Sequence, residues 1–257
     1  MHWVVQENLF NEQGYDAFME VLVRFNIPHS VHKVVPFSHE LIPDIEPPTP
    51  CMVMGGTTLC RVAAARGWTP GSFLNENFDF EVQRKHWGEA MLNHDSLVCG
   101  FADVPEQEGE FFMRPVHDTK SLNGMVLDWP TYSEWRDKVV NLGEDTGATL
   151  RGDTPVQVAQ PKNILEEWRL WVVDGQIVTY SLYKSHGRVF ARPECPEDAL
   201  AFARSQTALW IPARAFVMDV ASTRDGYKVI EVNNINSAGL YAASVSNLVL
   251  ALDSQES

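Results

Sequence analysis

Cysteine is scarce in this chain, and its spacing argues against two kinds of site. The four cysteines are Cys51, Cys60, Cys99 and Cys195, and no two of them form a CxxC pair. Zinc sites and disulfide frameworks need cysteines that are closely or regularly spaced, so neither is expected here. Widely spaced free cysteines fit a reducing cytoplasm, where we expect the protein to function.

Long apolar runs are also missing. No window approaches the roughly 18 consecutive apolar residues that a membrane-spanning helix needs, so we expect no such segment. The N-terminal sequence MHWVVQENLF has no basic region followed by an apolar core, so we expect no secretory signal. With 257 residues, of which 45% are hydrophobic, the chain is long enough for one large domain or two closely packed ones.

Basic residues are few: 20 Lys and Arg stand against 34 Asp and Glu, which gives a net charge of −14. A protein that holds nucleic acid by its phosphates more often carries the opposite sign, so we do not expect nucleic acid as a partner. An acidic protein that binds a polyanion must instead gather its few basic residues locally and add a divalent cation. The positions of the basic residues are therefore informative.

The first 95 residues alternate between strand and helix patterns. Apolar strand patterns occur at 3–5, 29–37 and 51–54, and residues 12–26 carry apolar positions at helical spacing. The segment 36–50 holds five prolines, which predicts a loop. This alternation predicts a small, largely parallel α/β unit.

The glycines after the third of these strands could be mistaken for a phosphate loop. Gly55-Gly56-Thr57-Thr58 follows a strand pattern and precedes a helical one, but it lacks both the GxxxxGK[ST] and the GxGxxG spacing. We interpret it as a tight strand-to-helix turn.

Beyond residue 95 the pattern changes to hairpins with helices between them, which is typical of an α+β domain. Two candidate hairpins each contain an Asp-Gly turn: EEWRLWVVDGQIVTYSLYK and AFVMDVASTRDGYKVIEVN. One helix is predicted to open at Thr131, in a capping-box match with Glu134, and two more are predicted over 196–210 and around 240–252.

The C-terminal hairpin places Asp219, Glu231 and Asn233 in otherwise apolar strands. A carboxylate between apolar neighbours is costly to desolvate unless a cation compensates its charge. A two-residue turn at 225–226 would point the two acids to opposite faces, whereas a three-residue loop at 224–226 would place them opposite one another. In the second case the asparagine shares their face, and three oxygen ligands suit Mg²⁺. The alternative is that Asp219 is a partly exposed edge residue and Glu231 pairs with a lysine.

The first hairpin carries an acid and two bases. With a two-residue Asp174-Gly175 turn, Glu167, Arg169 and Lys184 fall on one face. Such a cluster is commonly a solvated salt-bridge ladder. Alternatively, the two bases lie along a triphosphate while the acid orients one of them.

A third pattern is the strand-to-loop segment FFMRPVHDTKSLNG. Its apolar strand delivers Arg114, and a polar loop with Lys120 and a closing Gly124 follows. Such a loop can fold over phosphates, to which it offers backbone N–H groups and a mobile lysine.

Taken in order, these motifs resemble the ATP-grasp superfamily, and most of all its divergent clade named for two arginines and a lysine. That clade includes the eukaryotic cell-division-cycle protein that assists assembly of translation initiation factor two. The resemblance covers roughly residues 96–252. It implies an ATP-grasp fold in which two α+β lobes, approximately 96–160 and 161–257, sandwich ATP, preceded by an α/β pre-ATP-grasp unit over 1–95.

The resemblance also implies a role for each motif residue. The residues expected at the nucleotide are Arg114, Lys120, Gln157, Val158, Ala159, Gln160, Glu167, Arg169 and Lys184. Of these, Arg169 and Lys184 should also act in catalysis, and the segment from Gln157 to Pro161 should run past the adenine, with its backbone imitating a base pair. Asp219, Glu231 and Asn233 should coordinate Mg²⁺, and Asn236, Ser237 and Gly239 should hold an acceptor substrate. Two departures from the family pattern stand out, because Arg replaces the usual Lys at 114 and the usual glycine-rich loop is HDTKSLNG.

The activity implied is that of an ADP-forming carboxylate–amine ligase. A carboxylate attacks the γ-phosphate of ATP to give an acyl phosphate and ADP, and an amine then displaces the phosphate. Peptides and proteins are among the candidate substrates. The alternative is a non-catalytic ATP-binding clamp or assembly chaperone for a protein partner. A two-domain α/β protein that merely binds structural cations would leave the ordered motifs unexplained.

Overall fold

The computed structural model describes residues 1–7, 14–35, 38–117, 124–141 and 150–254. The chain divides into two compact units, of which one combines Met1–Asn75 with Ile164–Ser257 and the other is Glu76–Asn163. The boundary at residue 95 separates domains according to the family resemblance, whereas these units are defined by compactness. The boundary at residue 95 therefore stays a prediction. None of the helices in the described ranges has both the length and the apolar character needed to cross a membrane.

The N-terminal part of the first unit is a small sheet with two helices. Its elements are β1 (His2–Gln6), α1 (Tyr15–Arg24), β2 (His29–Val34), β3 (Leu41–Ile42), β4 (Cys51–Met54), α2 (Thr57–Ala65) and β5 (Pro70–Gly71). The strand order is β3-β2-β1-β4-β5. All neighbours pair in parallel except β2 and β3. The largely parallel α/β unit is therefore confirmed, and the proline-rich segment contains the two-residue strand β3.

The second unit is built on a four-stranded sheet. Its elements are α3 (Phe80–Trp87), β6 (Leu97–Gly100), β7 (Glu110–Pro115), β8 (Met125–Asp128), α4 (Trp129–Asn141) and β9 (Pro155–Ala159). The strand order is β6-β9-β7-β8, and the neighbours are antiparallel. Phe101 and Phe111 make edge-on ring contacts with Tyr132 of α4, which fixes this helix on the sheet.

Helix α4 begins two residues earlier than the capping-box pattern predicts. The side chain of Asp128 accepts a hydrogen bond of 2.9 Å from the backbone N–H of Thr131, so the aspartate caps the helix. Pro130 is tolerated in the first turn because the N–H groups there have no partner within the helix. Glu134 pairs instead with Lys138, one turn later, at 2.6 Å.

The remainder of the first unit is a five-stranded antiparallel sheet with two helices. Its elements are β10 (Glu166–Val173), β11 (Gln176–Ser185), β12 (Arg188–Arg192), α5 (Glu197–Leu209), β13 (Ala215–Thr223), β14 (Gly226–Asn233) and α6 (Val245–Asp253). The strand order is β12-β11-β10-β13-β14.

One apolar core joins the two separate stretches of sequence in the first unit. Trp3 of β1 and Phe18 of α1 are buried together with Trp171 of β10, Val217 of β13 and Leu248 of α6. Burial of large aromatic side chains contributes about 1.5–3 kcal/mol each. This shared core explains why the N-terminal and C-terminal stretches form one compact unit.

The strand-to-helix turn at Gly55 and Gly56 is closed by groups of the protein itself. The N–H of Gly55 donates to the carbonyl oxygen of Asn236 at 2.9 Å, and the N–H of Gly56 donates to Oε1 of Gln6 at 2.8 Å. Both N–H groups are therefore engaged within the fold, which supports the interpretation of a structural turn.

Gly55→Ala should destabilise the first unit, because a Cβ there would lie 2.6 Å from Cβ of Gln6 and 2.9 Å from Cδ2 of Leu59. We expect the free energy of unfolding to fall by about 1–3 kcal/mol in urea denaturation, as for other overpacked sites. Gly56→Ala is the matched control, since its nearest neighbour would be 3.4 Å away. Equal losses in the two variants would contradict the close packing at Gly55.

Candidate functional site

Asp219 and Glu231 face one another across β13 and β14. Neither turn considered from the sequence is correct, because Arg224 and Asp225 form the turn and the strands pair from Gly226 onward. That turn alone would place residue 230 opposite Asp219. The register shifts by one residue between Asp219 and Val220, so that Ile230 is the extra residue of a β-bulge. The bulge, not the turn, brings the two acids together.

Arg169 of β10 lies opposite Asp219 on its other side. Its Nε donates to Oδ1 at 2.9 Å and its Nη2 donates to Oδ2 at 2.8 Å. Asp219 is 1% exposed, and the side chain of Arg169 is 12% exposed. Since β13 lies between β10 and β14, Asp219 is a buried residue of an inner strand. The alternative of a partly exposed edge residue is therefore wrong.

A second ion pair lies on the same sheet. Lys184 of β11 is opposite Glu167 of β10, and Nζ is 2.8 Å from Oε1. The hydroxyl of Tyr183 donates to Oε2 of Glu167 at 2.7 Å. The two-residue Asp174-Gly175 turn is confirmed, and two register shifts between this turn and Glu167 bring Lys184 opposite it. Glu167 is buried, so the pair is not the solvated ladder that is common on sheet surfaces.

Asn233 completes the row of polar side chains on β14. Its Nδ2 donates to Oε1 of Glu231 at 3.0 Å, and the residue is buried. Residues two apart on a strand point to the same face, which accounts for this contact.

The electrostatics of the site follow from its burial. Burial raises the pKa of Asp219, as do the charges of Glu231 and Glu167, and the neighbouring Arg169 opposes this shift only in part. Burial by itself would lower the pKa of Arg169, but the Asp219 carboxylate holds it above its ordinary value. Burial also raises the pKa of Tyr183 well above its usual range. A further cation beside Asp219 would stabilise its ionised form.

The donor chemistry at this site fits Mg²⁺. Asp219, Glu231 and Asn233 offer carboxylate and amide oxygens, which are the ligands that hard cations prefer. Among the residues that the structure describes, no three His, Cys, Asp or Glu side chains form a ready metal-binding group. Mg²⁺ commonly takes one or two carboxylates and completes its shell with water and substrate phosphates. The residues therefore suit a metal that arrives with a nucleotide.

The predicted acceptor residues follow β14. Asn236 is buried, its Nδ2 donates to the carbonyl oxygen of Val53 at 2.8 Å, and its Oδ1 accepts from the N–H of Phe73 at 2.9 Å. Its amide thus fastens this segment to the N-terminal sheet. Ser237 and Gly239 are half-buried. An acceptor-binding role for all three stays a prediction.

The second unit holds the remaining predicted nucleotide residues. Arg114 of β7 lies opposite Gln157 of β9, so their side chains share a face of the sheet. Gln157 is buried, and its Oε1 accepts from the hydroxyl of Ser96 at 3.5 Å. Lys120 lies outside the residues that the structure describes.

The pairing of β9 with its neighbouring strands limits which of its residues could form backbone hydrogen bonds with an adenine. Gln157 and Val158 are paired with β6 on one side and β7 on the other, so their backbone groups are directed at neighbouring strands. The pairing with β6 ends at Val158, whereas Ala159, the last residue of the strand, is paired with β7. Gln160 follows the strand. Backbone recognition of a base thus fits residues 159 and 160 better than 157 and 158.

Tyr241 is a residue of the site that no sequence pattern indicated. Arg169 lies over the rings of Tyr183 and Tyr241, with distances of 5.6 Å and 5.1 Å from its Cζ to the two ring centroids. Tyr241 belongs to the connection between β14 and α6, where no local pattern marks it. The contact joins residues far apart in the chain, so motif spacing could not reveal it.

The sequence matches a family model for an ATP-grasp domain over residues 57–252, namely family 3 of the clade named for two arginines and a lysine. This match covers more than half of the chain and includes the residues 96–252 that carry the resemblance. A comparison with curated proteins found no matching relative.

Solved structures of similar fold span nearly the whole chain. D-cycloserine synthetase DcsG has 13% sequence identity and a TM-score of 0.63, and the match covers 99% of both chains. D-alanine–D-alanine ligase from Bacillus anthracis, complexed with ATP, has 12% identity and a TM-score of 0.61, with 98% of this chain and 96% of that chain covered. ATP-grasp ligase PsnB, complexed with a phosphomimetic variant of its minimal precursor, Mg and ADP, has 15% identity and a TM-score of 0.55, with 100% and 98% covered. At these identities the likeness shows a common ATP-grasp fold.

Asp219→Asn should destabilise the protein in the absence of nucleotide and metal, because it leaves the buried Arg169 guanidinium without its carboxylate. We expect the free energy of unfolding to fall by about 3 kcal/mol. This is the low end for a broken buried pair, because the substitution also relieves repulsion from Glu231 and Glu167. Urea denaturation at neutral pH measures the difference.

Asp174→Asn is the matched control for this prediction. Asp174 pairs with Arg214 at 3.2 Å, but their side chains are 39% and 31% exposed. An exposed pair contributes at most about 1 kcal/mol, and asparagine tolerates the positive φ of 49° at this turn. Comparable losses of unfolding free energy in the two variants would contradict a larger contribution from the buried pair than from the exposed one.

Proposed function

We propose that this chain, which belongs to family 3 of the two-arginine-and-lysine clade of ATP-grasp domains, is an Mg-ATP-dependent ligase that joins a carboxylate to an amine through an acyl phosphate. The observation that carries the proposal is the arrangement on β10, β13 and β14. There the buried Arg169–Asp219 pair lies beside Glu231 and Asn233 on adjoining strands.

Three residues of the hairpin would hold the metal. Asp219, Glu231 and Asn233 present oxygen donors on adjoining positions of the sheet, and the raised pKa of Asp219 marks a carboxylate that a cation would stabilise. A carboxylate oxygen has two lone pairs, so Asp219 can accept from Arg169 and still offer an oxygen to a metal. When bound, Mg²⁺ would neutralise charge on the phosphate oxygens of ATP.

Arg169 and Lys184 would attract and orient the phosphates. The bond to Asp219 uses two of the five N–H groups of the Arg169 guanidinium, which leaves the group's charge and further donors for a phosphate oxygen. Lys184 has a side chain that is 37% exposed, and Glu167 holds its ammonium group in place. Fixed cations of this kind stabilise the charge that spreads over a transferring phosphoryl group.

The other nucleotide residues are proposed from the family resemblance. Arg114 would contact the α- and β-phosphates and Lys120 would belong to the loop over the triphosphate. The backbone of residues 159 and 160 would contact the adenine, because these residues lie beyond the point where the pairing of β9 with β6 ends.

The family and the proteins of similar fold support the proposed reaction class. These include a D-alanine–D-alanine ligase and the ligase PsnB. In the proposed reaction an oxygen of the substrate carboxylate attacks the γ-phosphorus, and the bond from that phosphorus to the β–γ bridging oxygen breaks and releases ADP. The amine nitrogen then attacks the acyl carbon, phosphate leaves, and the amine loses a proton. Since PsnB is complexed with a peptide precursor, we include peptides among the candidate substrates.

Glu231→Gln should weaken binding of ATP when Mg²⁺ is present and leave binding in EDTA nearly unchanged. We expect the Kd for Mg-ATP to rise about tenfold or more, as losses of ligand-shell groups commonly produce. Isothermal titration calorimetry with and without Mg²⁺ measures both values. Asp225→Asn, an exposed acid in the turn of the same hairpin, is the control and should bind Mg-ATP as the wild type does. An unchanged Mg-ATP affinity in Glu231→Gln would rule out this residue as a metal ligand.

Hydroxylamine should reveal the acyl phosphate without knowledge of the natural amine. We expect incubation with Mg-ATP, hydroxylamine and pools of carboxylic acids and peptides to yield ADP and a hydroxamate in equal amounts for the pool that contains the substrate. Mass spectrometry would identify the hydroxamate, and Glu231→Gln would serve as the inactive control. Tight Mg-ATP binding with no ADP formed from any pool or from cell extract would support the clamp function instead.

A further inference from the structure

The contacts of Arg169 extend beyond its bond to Asp219. Its guanidinium lies over the ring of Tyr241, which in turn stacks on the ring of Tyr183 with centroids 5.1 Å apart and an interplanar angle of 21°. The same guanidinium lies over Tyr183. Two aromatic faces and one carboxylate therefore surround a single cation, which restricts both its position and its plane.

Tyr241 is itself held in place by its neighbours in the chain. Its φ is +47°, in the left-handed region that is unfavourable for a bulky residue. The next residue, Ala242, donates its N–H to Oγ of Ser181 at 3.2 Å, and the N–H of Ser244 donates to Oγ1 of Thr179 at 2.8 Å. Both acceptors are buried residues of β11. These bonds fasten the segment to the sheet and fix the direction in which the Tyr241 side chain leaves it.

Tyr183 connects the two ion pairs. Its hydroxyl donates to Glu167, the partner of Lys184, while its ring meets Arg169 and Tyr241. Displacement of Tyr241 would therefore affect the stacked ring of Tyr183 as well as the guanidinium. Tyr241 thus contacts both Arg169, the cation of the first ion pair, and Tyr183, whose hydroxyl reaches the second ion pair.

We propose that Tyr241 is a positioning residue of the site: its ring holds the Arg169 guanidinium in the plane in which it bonds both oxygens of Asp219, and so prepares the cation for the phosphates of ATP. This rests on the proposed function for the nucleotide, but the positioning itself is a property of the free protein. The proposed role belongs to the ring, because its aromatic face contacts Arg169 and Tyr183.

The first test observes Arg169 directly and needs no nucleotide. In ¹⁵N-arginine-labelled full-length protein, Arg169→Lys identifies the Nε–H signal of Arg169 by its loss. We expect hydrogen exchange of this Nε–H with water to be slow in the wild type and at least about threefold faster in Tyr241→Leu, since a cation–π contact has been removed. Tyr241→Phe, which keeps the ring, should restore the slow rate.

A tyrosine on the sheet that carries Arg169 provides the control. Tyr227 of β14 is also half-buried and makes ring contacts with Trp168 and Phe202. Tyr227→Leu should leave the exchange rate of the Arg169 Nε–H unchanged. Circular dichroism establishes folding of each variant, and Tyr241→Met, which replaces the ring with a flexible unbranched apolar chain, is used in place of the leucine variant if that variant does not fold.

The second test measures whether the positioning of Arg169 by Tyr241 affects the affinity for Mg-ATP. We expect the Kd of Mg-ATP to rise at least about threefold in Tyr241→Leu, with wild-type affinity in Tyr241→Phe and Tyr227→Leu. Absence of Mg-ATP binding in the wild type would overturn the proposed function and leave the exchange result standing. Unchanged exchange in Tyr241→Leu would overturn the positioning role, whatever the nucleotide affinity.

Discussion

The buried ion pair between Arg169 and Asp219 is the interaction on which the rest of the candidate site depends. Asp219 is almost fully buried on an inner strand, so its charge needs a partner at hydrogen-bond distance, and the bidentate guanidinium provides it. The pair in turn needs support. Tyr183 and Tyr241 enclose the cation and provide that support, whereas the carboxylate of Glu231 repels that of Asp219. A site with this balance of charges suits a ligand that brings phosphates and a divalent cation together.

Irregular strand pairing gives the site its geometry. The bulge at Ile230 turns a two-residue hairpin, which would have separated the acids, into one that sets Asp219 opposite Glu231. Two further register shifts on the first hairpin place Lys184 opposite Glu167. Because a one-residue shift moves every later side chain to the other face, these irregularities determine which polar side chains of the sheet lie together.

The sequence indicated the polar residues of the candidate site better than their geometry. Carboxylates within apolar strands are unusual enough to mark Asp219 and Glu231, and the parallel α/β unit and both hairpins were also predictable from periodicity and turn residues. The two-residue turn at Arg224 and Asp225 was not predictable. A bulge at Ile230 gives the same pairing of the two acids that a three-residue loop would have given. Tyr241 could not be found at all, since its contacts depend on how the connection before α6 folds back on the sheet. Long-range packing of this kind leaves no periodic pattern in the sequence.

Paramagnetic broadening by Mn²⁺ tests directly whether Asp219, Glu231 and Asn233 bind a cation, because it locates the cation without relying on catalysis or on substitutions. Mn²⁺ would be titrated into the ¹⁵N-labelled protein together with a non-hydrolysable ATP analogue, and the side-chain amide signal of Asn233 would be followed. We expect this signal and the backbone amides of Asp219 and Glu231 to broaden first, and excess Mg²⁺ to restore them. If these three residues stay sharp while another region of the protein broadens, the cation does not bind at this hairpin.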